Sequence, residues 1–191
     1  AQDNYAVMAM TGDNSQNFTA GWVVANGNIL RKTKNSKRDL CLIYRTGEMV
    51  TLKAAQIDHK KITDEMDQLW QSFLFGPVLL DENGKAMTKF NTNVGPANPR
   101  SVIGYYEPGH YCLVQVDGRR TESRLEKGKI NVGMTMKQTS ALMEQLGCAA
   151  AYNLDGGQSS VLWYNGENLS NPYNGGRNVM DAVLILDGAV N

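Results

Sequence analysis

The sequence predicts an α+β fold, a mixed, hairpin-rich β-sheet with two main helices packed on it. Short β-prone runs broken by turn dipeptides fill the first half, whereas the second half alternates strand, helix, strand, hairpin and strand. Two apolar stripes at helical spacing supply the helices.

Taking the elements in order, Trp22 to Ala25 meets Asn28 to Leu30 across Asn26-Gly27, a pair that tolerates the positive φ angles of a type I′ turn. Leu40 to Arg45 and Met49 to Leu52 flank Thr46-Gly47, and Val78 to Leu80 and Lys85 to Thr88 flank Asp81-Glu82-Asn83-Gly84. Between the second and third hairpins, Ile62, Met66, Leu69, Trp70 and Phe73 form an i, i+4, i+7, i+8, i+11 stripe that predicts a helix stopped by Gly76-Pro77. Further on, Tyr111 to Val116 is an expected strand. Met134 to Leu146 is the second helix, with Thr135 and Gln138 as a capping box and Gly147 as its end. Strands are expected at Ala149 to Leu154, Val161 to Tyr164 and Val179 to Leu186, with Asn165-Gly166 turning the chain.

Composition narrows the function classes. With 191 residues, 42% hydrophobic and 20% charged, the chain reads as one domain over 1–191. Nineteen basic and nineteen acidic residues cancel, so no global field draws a polyanion and nucleic acid is not an expected partner. No apolar run approaches the ~20 residues needed to cross a bilayer. The start, Ala1-Gln2-Asp3-Asn4, has neither a basic stretch nor an apolar core, so any signal peptide is expected to lie outside this sequence. Cys41, Cys112 and Cys148 have no C-x-x-C spacing, and Cys112 and Cys148 sit in apolar contexts that suit small buried hydrophobes. The basic cluster Arg31 to Arg38 reads as a solvated loop or an anion contact.

The densest polar segment in an apolar context is Asn153-Leu154-Asp155-Gly156-Gly157-Gln158-Ser159-Ser160, at a junction between strands. Strand alternation puts Asn153 and Asp155 on one face, and the glycines let backbone amides approach an anion. The same residues also read as a plain turn capped by Ser159. Val116-Asp117-Gly118-Arg119-Arg120 again puts Asp-Gly after an apolar strand, so two carboxylates could meet at a shared sheet edge. In Asn98-Pro99-Arg100-Ser101, Arg100 is available for a bidentate phosphate contact or stands as a surface residue. No nucleophile elbow, phosphate loop, dinucleotide fingerprint or zinc-protease helix occurs, and His59 and His110 give a triad or a multi-histidine site little to work with. Carboxylate chemistry remains.

Six ordered blocks resemble the phosphodiester glycosidase family. Asn153 to Ser160 resembles its N-L-D-G-G-G-S-[ST], Gly76-Pro77-Val78-Leu79-Leu80 its G-P-x-L-[LV], and Pro99 to Gly104 its P-R-T-A-[IV]-G. Val116 to Arg119 resembles its V-D-G-R, Gly133-Met134-Thr135-Met136 its G-M-T-L, and Arg177 to Ala182 its closing R-x-V-x-N-A. The sequence departs from the family at Gln158, which replaces a glycine, at Asp181, which stands where the family usually has Asn, and at Gly12-Asp13-Asn14.

The resemblance implies a hydrolase that cleaves the glycosidic bond of sugar-1-phosphodiesters, with Ala1 a trimmed start. Asp155 first and Asp117 second are the expected carboxylates. Arg100 and the Gly156 and Gly157 amides would hold the phosphate, and Asn153 and Ser159 sugar hydroxyls or phosphate oxygens. Gly118, Gln158, Arg177 and Asp181 complete the substrate site. The partner is then a carbohydrate phosphodiester, and the location the cell envelope or exterior of a bacterium. The alternative is a non-catalytic glycan-binding or envelope-assembly module, motivated by the three departures and by Trp163, Tyr164 and Tyr173 as sugar platforms. No catalytic metal is expected. Asp117, Asp155 and Asp181 offer oxygen ligands to structural Ca²⁺ or Mg²⁺, but Arg177, four residues before Asp181, is placed to pair with it instead.

Overall fold

The computed structural model describes residues 5–14, 18–33, 37–119 and 131–188. Arg120, Lys34, Asn35 and Ser36, which belong to segments singled out above, lie outside the described residues.

Among the described residues twelve strands fall into four antiparallel groups. β1 (Ala6–Thr11) sits between β10 (Leu162–Tyr164) and β12 (Ala182–Leu186), with β11 (Glu167–Asn168) outside β10. β2 (Gly21–Ala25) and β3 (Asn28–Thr33) form a hairpin, and β4 (Leu40–Tyr44) is flanked by β5 (Met49–Leu52) and β6 (Leu69–Phe73). In the last group β7 (Arg100–Glu107) runs between β8 (His110–Val116) and β9 (Ala150–Asn153).

The turn chemistry behaves as the residues dictate. Asn26 and Gly27 take φ of 51° and 73°, and Asn165 and Gly166 take 43° and 94°, the left-handed region that Asn and Gly occupy most cheaply. α2 (Met136–Gln145) has the expected capping box, in which the Thr135 hydroxyl accepts from the Gln138 amide and the Gln138 side chain accepts from the Thr135 amide. Gly147, at φ 77°, ends it.

The first helix is a correction. α1 covers only His59–Asp64, a 3-10 turn follows at Met66–Gln68, and Leu69–Phe73 is β6, paired with β4 through Leu42 and Ser72. Ile62, Met66 and Leu69 are buried, so the stripe reports the core correctly, but β4 needs a second partner and takes the aromatic-rich end of the run. Ser72 shows the cost of that position being met: its hydroxyl donates to the Trp22 carbonyl and accepts the Val24 amide, stitching β2 to β6. The expected hairpin at 78–88 is reduced to one bridge, Leu80 to Ala86, because Val78 pairs with Tyr152 instead. The last strand begins at Ala182, and β1 and the full length of β7 have no counterpart among the expected elements.

β7 is the spine of the site. From Arg100 to Tyr105 it is buried throughout, with Val102 and Ile103 feeding the two core clusters on either side. β8 and β9 both run antiparallel to it, so both strands end beside its Arg100 end. Among the described residues no helix is long and apolar enough to cross a membrane. In the basic cluster, Arg31 donates to the Gly21 and Phe18 carbonyls, and Arg38 lies 3.9 Å over the Phe18 ring and donates to the Phe75 carbonyl. These cations hold the protein's own chain.

Candidate active site

A cavity of about 240 Å³ opens where β8 and β9 leave the sheet. Its wall includes Arg100, Asn153, Asp155, Gly156, Gly157, Gln158 and Arg177, joining residues that span 77 positions of the sequence proposals, together with Asn98 and Arg119. A larger cavity of about 760 Å³ lies elsewhere, between β12 and the β2 and β6 strands, and has a mainly apolar wall. Of the proposed site residues it touches only Asp181, so the polar chemistry belongs to the smaller one.

The Asn153 to Ser160 segment is fixed by its backbone. The Asn153 amide donates to the Pro77 carbonyl, Leu154 to Ser101, Asp155 to Gly12 and Gly157 to Pro99, at 2.8 to 3.1 Å. Gly156 must be glycine because a Cβ there would stand 2.6 Å from the Pro99 carbonyl oxygen. Gly157, at φ 63°, lies under the Arg119 guanidinium. The Gly76-Pro77 block thus serves the same loop, since the Gly76 carbonyl also receives the Asn153 side-chain amide at 2.8 Å. Asn153 is 1% exposed, and its Oδ1 has no hydrogen-bond partner among the described residues. A buried acceptor left over in this way at a pocket wall suits a ligand hydroxyl or a water.

Asp155 is the one carboxylate on that wall among the described residues. Its Oδ1 accepts the Gly156 amide at 2.9 Å and its Oδ2 faces Arg177 Nη2 at 3.3 Å. Arg177 is in turn aimed by Ser159, whose Oγ accepts from Nε at 2.6 Å. Gln158 donates to the Gly176 carbonyl at 2.8 Å and so anchors the turn that delivers Arg177. On the opposite side Arg119, at φ 57°, donates through Nε and Nη2 to Asn98 Oδ1 at 3.0 and 2.7 Å and lies 5.7 Å from the Tyr173 ring. Among the described residues, Arg100, Arg119 and Arg177 stand against a single carboxylate on this wall, an excess of positive charge.

Several sequence expectations are corrected by this geometry. Arg100 is 2% exposed and donates to the Met134, Pro96 and Gly95 carbonyls, so most of its fork holds the 95–98 loop. Burial, together with the neighbouring Arg119 charge, brings its guanidinium down to about 10, still cationic at neutral pH. The Gly156 and Gly157 amides, expected as an anion nest, are engaged by Asp155 and Pro99. Asp117 does not line the cavity: both of its oxygens accept the Asn171 amide at 3.0 Å. Gly118 is a packing glycine whose Cβ would lie 2.7 Å from Gly133. Ser159 is buried behind Arg177 and does not face the cavity wall. Asp181 accepts the Asp13 and Asn14 amides, capping the Gly12 turn, and Arg177 pairs with Asp155 instead. Asp117, Asp155 and Asp181 therefore have separate partners, and no group of three acidic, His or Cys side chains suited to a metal occurs among the described residues.

Two residues were missing from the expected site. Arg119 was visible in the Val116 to Arg119 block, yet its left-handed backbone, which turns it toward Gly157, has no signal in a non-glycine residue. Asn98 is brought in by a two-way backbone pairing with Met134 across 36 residues.

The profile of the phosphodiester glycosidase family matches residues 3–186. The chain belongs to that family. It is 26% identical over 150 residues to the SPbeta prophage-derived uncharacterized protein YomE of Bacillus subtilis, a match covering 77% of this chain and 22% of YomE. The fold resembles the zebrafish N-acetylglucosamine-1-phosphodiester alpha-N-acetylglucosaminidase catalytic domain auto-inhibited by its pro-peptide, with a TM-score of 0.75 and 20% identity. That likeness covers 98% of this chain and 65% of the zebrafish one. A hypothetical protein from Synechocystis is similar at a TM-score of 0.54 and 14% identity, over 90% of this chain and 50% of the other. The chain thus spans about a fifth of YomE and under two thirds of the zebrafish chain.

Proposed function

We propose that this phosphodiester glycosidase domain hydrolyses the bond between the anomeric carbon of a sugar and its 1-phosphodiester. The observation that carries the reading is one fixed carboxylate, Asp155, in a cavity lined by three guanidinium groups. Arg119 and the half-exposed Arg177 are the groups able to receive the phosphate, since Arg100 is turned onto carbonyls. Cleavage breaks the bond from the anomeric carbon to oxygen, and the phosphate departs with the electron pair as a weakly basic anion, so a strong general acid is not needed. Water supplies the new bond to the anomeric carbon and gives up its proton. Asp155 either accepts that proton or stabilises the positive centre that precedes attack. Asn153 Oδ1 is the acceptor offered to a sugar hydroxyl.

N-acetylglucosamine-1-phosphodiesters of cell-envelope or exopolysaccharide glycans are the proposed substrates, supported by the name of the zebrafish relative. The proposed location is the envelope or exterior of a bacterium, which fractionation of the full-length protein would test; a wholly cytosolic pool would sink it. For the activity, the test is release of free sugar from a nitrophenyl- or nucleotide-linked N-acetylglucosamine-1-phosphate by the wild type and by Asp155→Asn. Turnover by the wild type alone supports the reading. Equal turnover by both overturns the role of Asp155, and saturable glycan binding without product identifies a binding module instead.

A further inference from the structure

Cys112 and Cys148 are 36 residues apart in sequence, yet their sulfurs lie 3.7 Å from each other. The meeting point is built by the sheet. Cys112 on β8 is directly opposite Gly104 on β7, and Cys148 lies just ahead of β9 on the other side of that strand. A Cβ on Gly104 would stand 2.6 Å from the Cys112 sulfur and 2.8 Å from the Cys148 sulfur. The missing side chain on the central strand is therefore what lets the two sulfurs approach across it. Cys41, the remaining cysteine, is fully buried in a different core cluster.

We propose that Cys112 and Cys148 are a disulfide-forming pair that, in an oxidising compartment, ties β8 to the start of β9. Closing the bond needs an approach of about 1.7 Å between sulfurs and, because the two cysteines flank β7, a movement of the Cys148 segment toward β8. The chemistry requires a disulfide oxidant of the glutathione type. Cys112 is the accessible partner, half-buried where Cys148 is 3% exposed. Its thiolate attacks one sulfur of the oxidant, forms the mixed disulfide and expels the first glutathione thiolate. The Cys148 thiolate then attacks the Cys112 sulfur and expels the second. The two cysteine protons pass to the departing glutathione thiolates, the protein pair loses two electrons, and one glutathione disulfide becomes two glutathione thiols. Burial, with Cys112 beside it, pushes the Cys148 thiol up to about 11.

The closed loop would contain Arg119, which leaves β8 seven residues after Cys112, and α2. Oxidation would thus link the strand that delivers Arg119 to the start of the strand that delivers Asp155, independently of what that site cleaves.

The test is to equilibrate the folded chain with glutathione disulfide, quench with acid, alkylate, and map peptides by mass spectrometry alongside a thermal melt. The expected result is a 2-Da loss, a single linked peptide joining Cys112 to Cys148, one alkylated cysteine at Cys41 and a Tm about 5–15 °C above the reduced protein. Cys41→Ser should leave the linked peptide in place. Cys112→Ser and Cys148→Ser should each abolish both the link and the Tm difference between oxidising and reducing buffers. Three alkylatable thiols after oxidation, persistent mixed glutathione adducts, or linkage only between separate molecules would each overturn the proposal.

Discussion

Strands β8 and β9 leave the same edge of one sheet, each running into Asp-Gly, and the two exits do opposite things. At the β9 exit Asp155 faces the cavity and meets Arg177. At the β8 exit Asp117 turns to the Asn171 amide, and it is Arg119, two residues on, that reaches the cavity. In both exits the glycine permits a close backbone crossing, Gly156 against Pro99 and Gly118 against Gly133. The local sequence therefore specifies the turn. The charge that the turn presents is decided by what lies opposite: an arginine from the 177 region or a backbone amide from the 171 loop.

The largest expected effect separates the two acids. On a sugar-1-phosphodiester, Asp155→Asn should lower kcat by about 10³-fold, within the range for losing a reacting carboxylate, while Asp117→Asn should stay within about threefold of wild type. Asp117→Asn keeps an acceptor for the Asn171 amide and should cost about 1 kcal/mol or less in urea unfolding. Equal loss of kcat in both variants would make the exits a catalytic pair and break the comparison.

The two arginines should differ next. Arg177 touches Asp155 as well as the cavity, so Arg177→Ala should reduce kcat/KM by about 10²-fold with a part of the loss in kcat. Arg119 is held by Asn98 and does not touch Asp155, so Arg119→Ala should raise KM about tenfold with kcat nearly unchanged. Asn98→Ala should reproduce part of the Arg119 effect. A fall in kcat for Arg119→Ala equal to that for Arg177→Ala would put both cations at the reacting centre.

How much of this was legible follows the range of each interaction. The Asn26-Gly27 and Asn165-Gly166 turns, the Thr135 and Gln138 cap and the glycine that ends α2 could be read because each is settled within four residues. The Asn153 to Ser160 segment stands out in the sequence by composition, but its shape is settled at long range by the carbonyls of Gly12, Pro77, Pro99 and Ser101. Leu69 to Phe73 could not, because the choice between helix and strand was made by the open side of β4. Nor could the fate of Arg100. A lone arginine before an apolar strand looks like a ligand contact or a surface residue, and only the return of the chain at Gly95, Pro96 and Met134 shows that its donors meet carbonyls.

A smaller effect tests the glycines. Gly156→Ala and Gly118→Ala each drive a Cβ to within 2.6 to 2.7 Å of backbone, which cannot swing aside as a side chain can. Each should cost about 1–3 kcal/mol, read as a lower urea midpoint with unchanged m-value. Gly156→Ala should also lower activity because it displaces the loop that carries Asp155, whereas Gly118→Ala should affect Arg119 and hence KM. If either alanine is accommodated without loss of stability, the close crossing at that exit is not a requirement of the fold.

A third aspartate sharpens the contrast by its response to pH. Asp13 is held like Asp117, by backbone amides: its carboxylate accepts from Leu74 and Phe75 at 2.6 to 2.7 Å. Unlike Asp117 it is almost entirely buried, and that burial, which outweighs the two amides and is reinforced by the Asp181 charge, raises its carboxyl well above the ordinary 3.8. The folded state then binds the Asp13 proton more tightly than the unfolded state does. Stability from this group is complete below the ordinary carboxylate value and is lost as pH rises from there through the raised one. Its slope for a single group is at most about 1.4 kcal/mol per pH unit. Other carboxylates titrate nearby with the opposite sign, including Asp58 and Asp81, whose amide hydrogen bonds lower them, so the quantity to measure is a difference between proteins. Urea midpoints of wild type and Asp13→Asn, taken at intervals from pH 4 to pH 8, should show the wild type losing ground to the variant as pH rises and the difference levelling off once Asp13 is ionised in both states. A constant difference would mean that the Leu74 and Phe75 amides fully offset burial at Asp13.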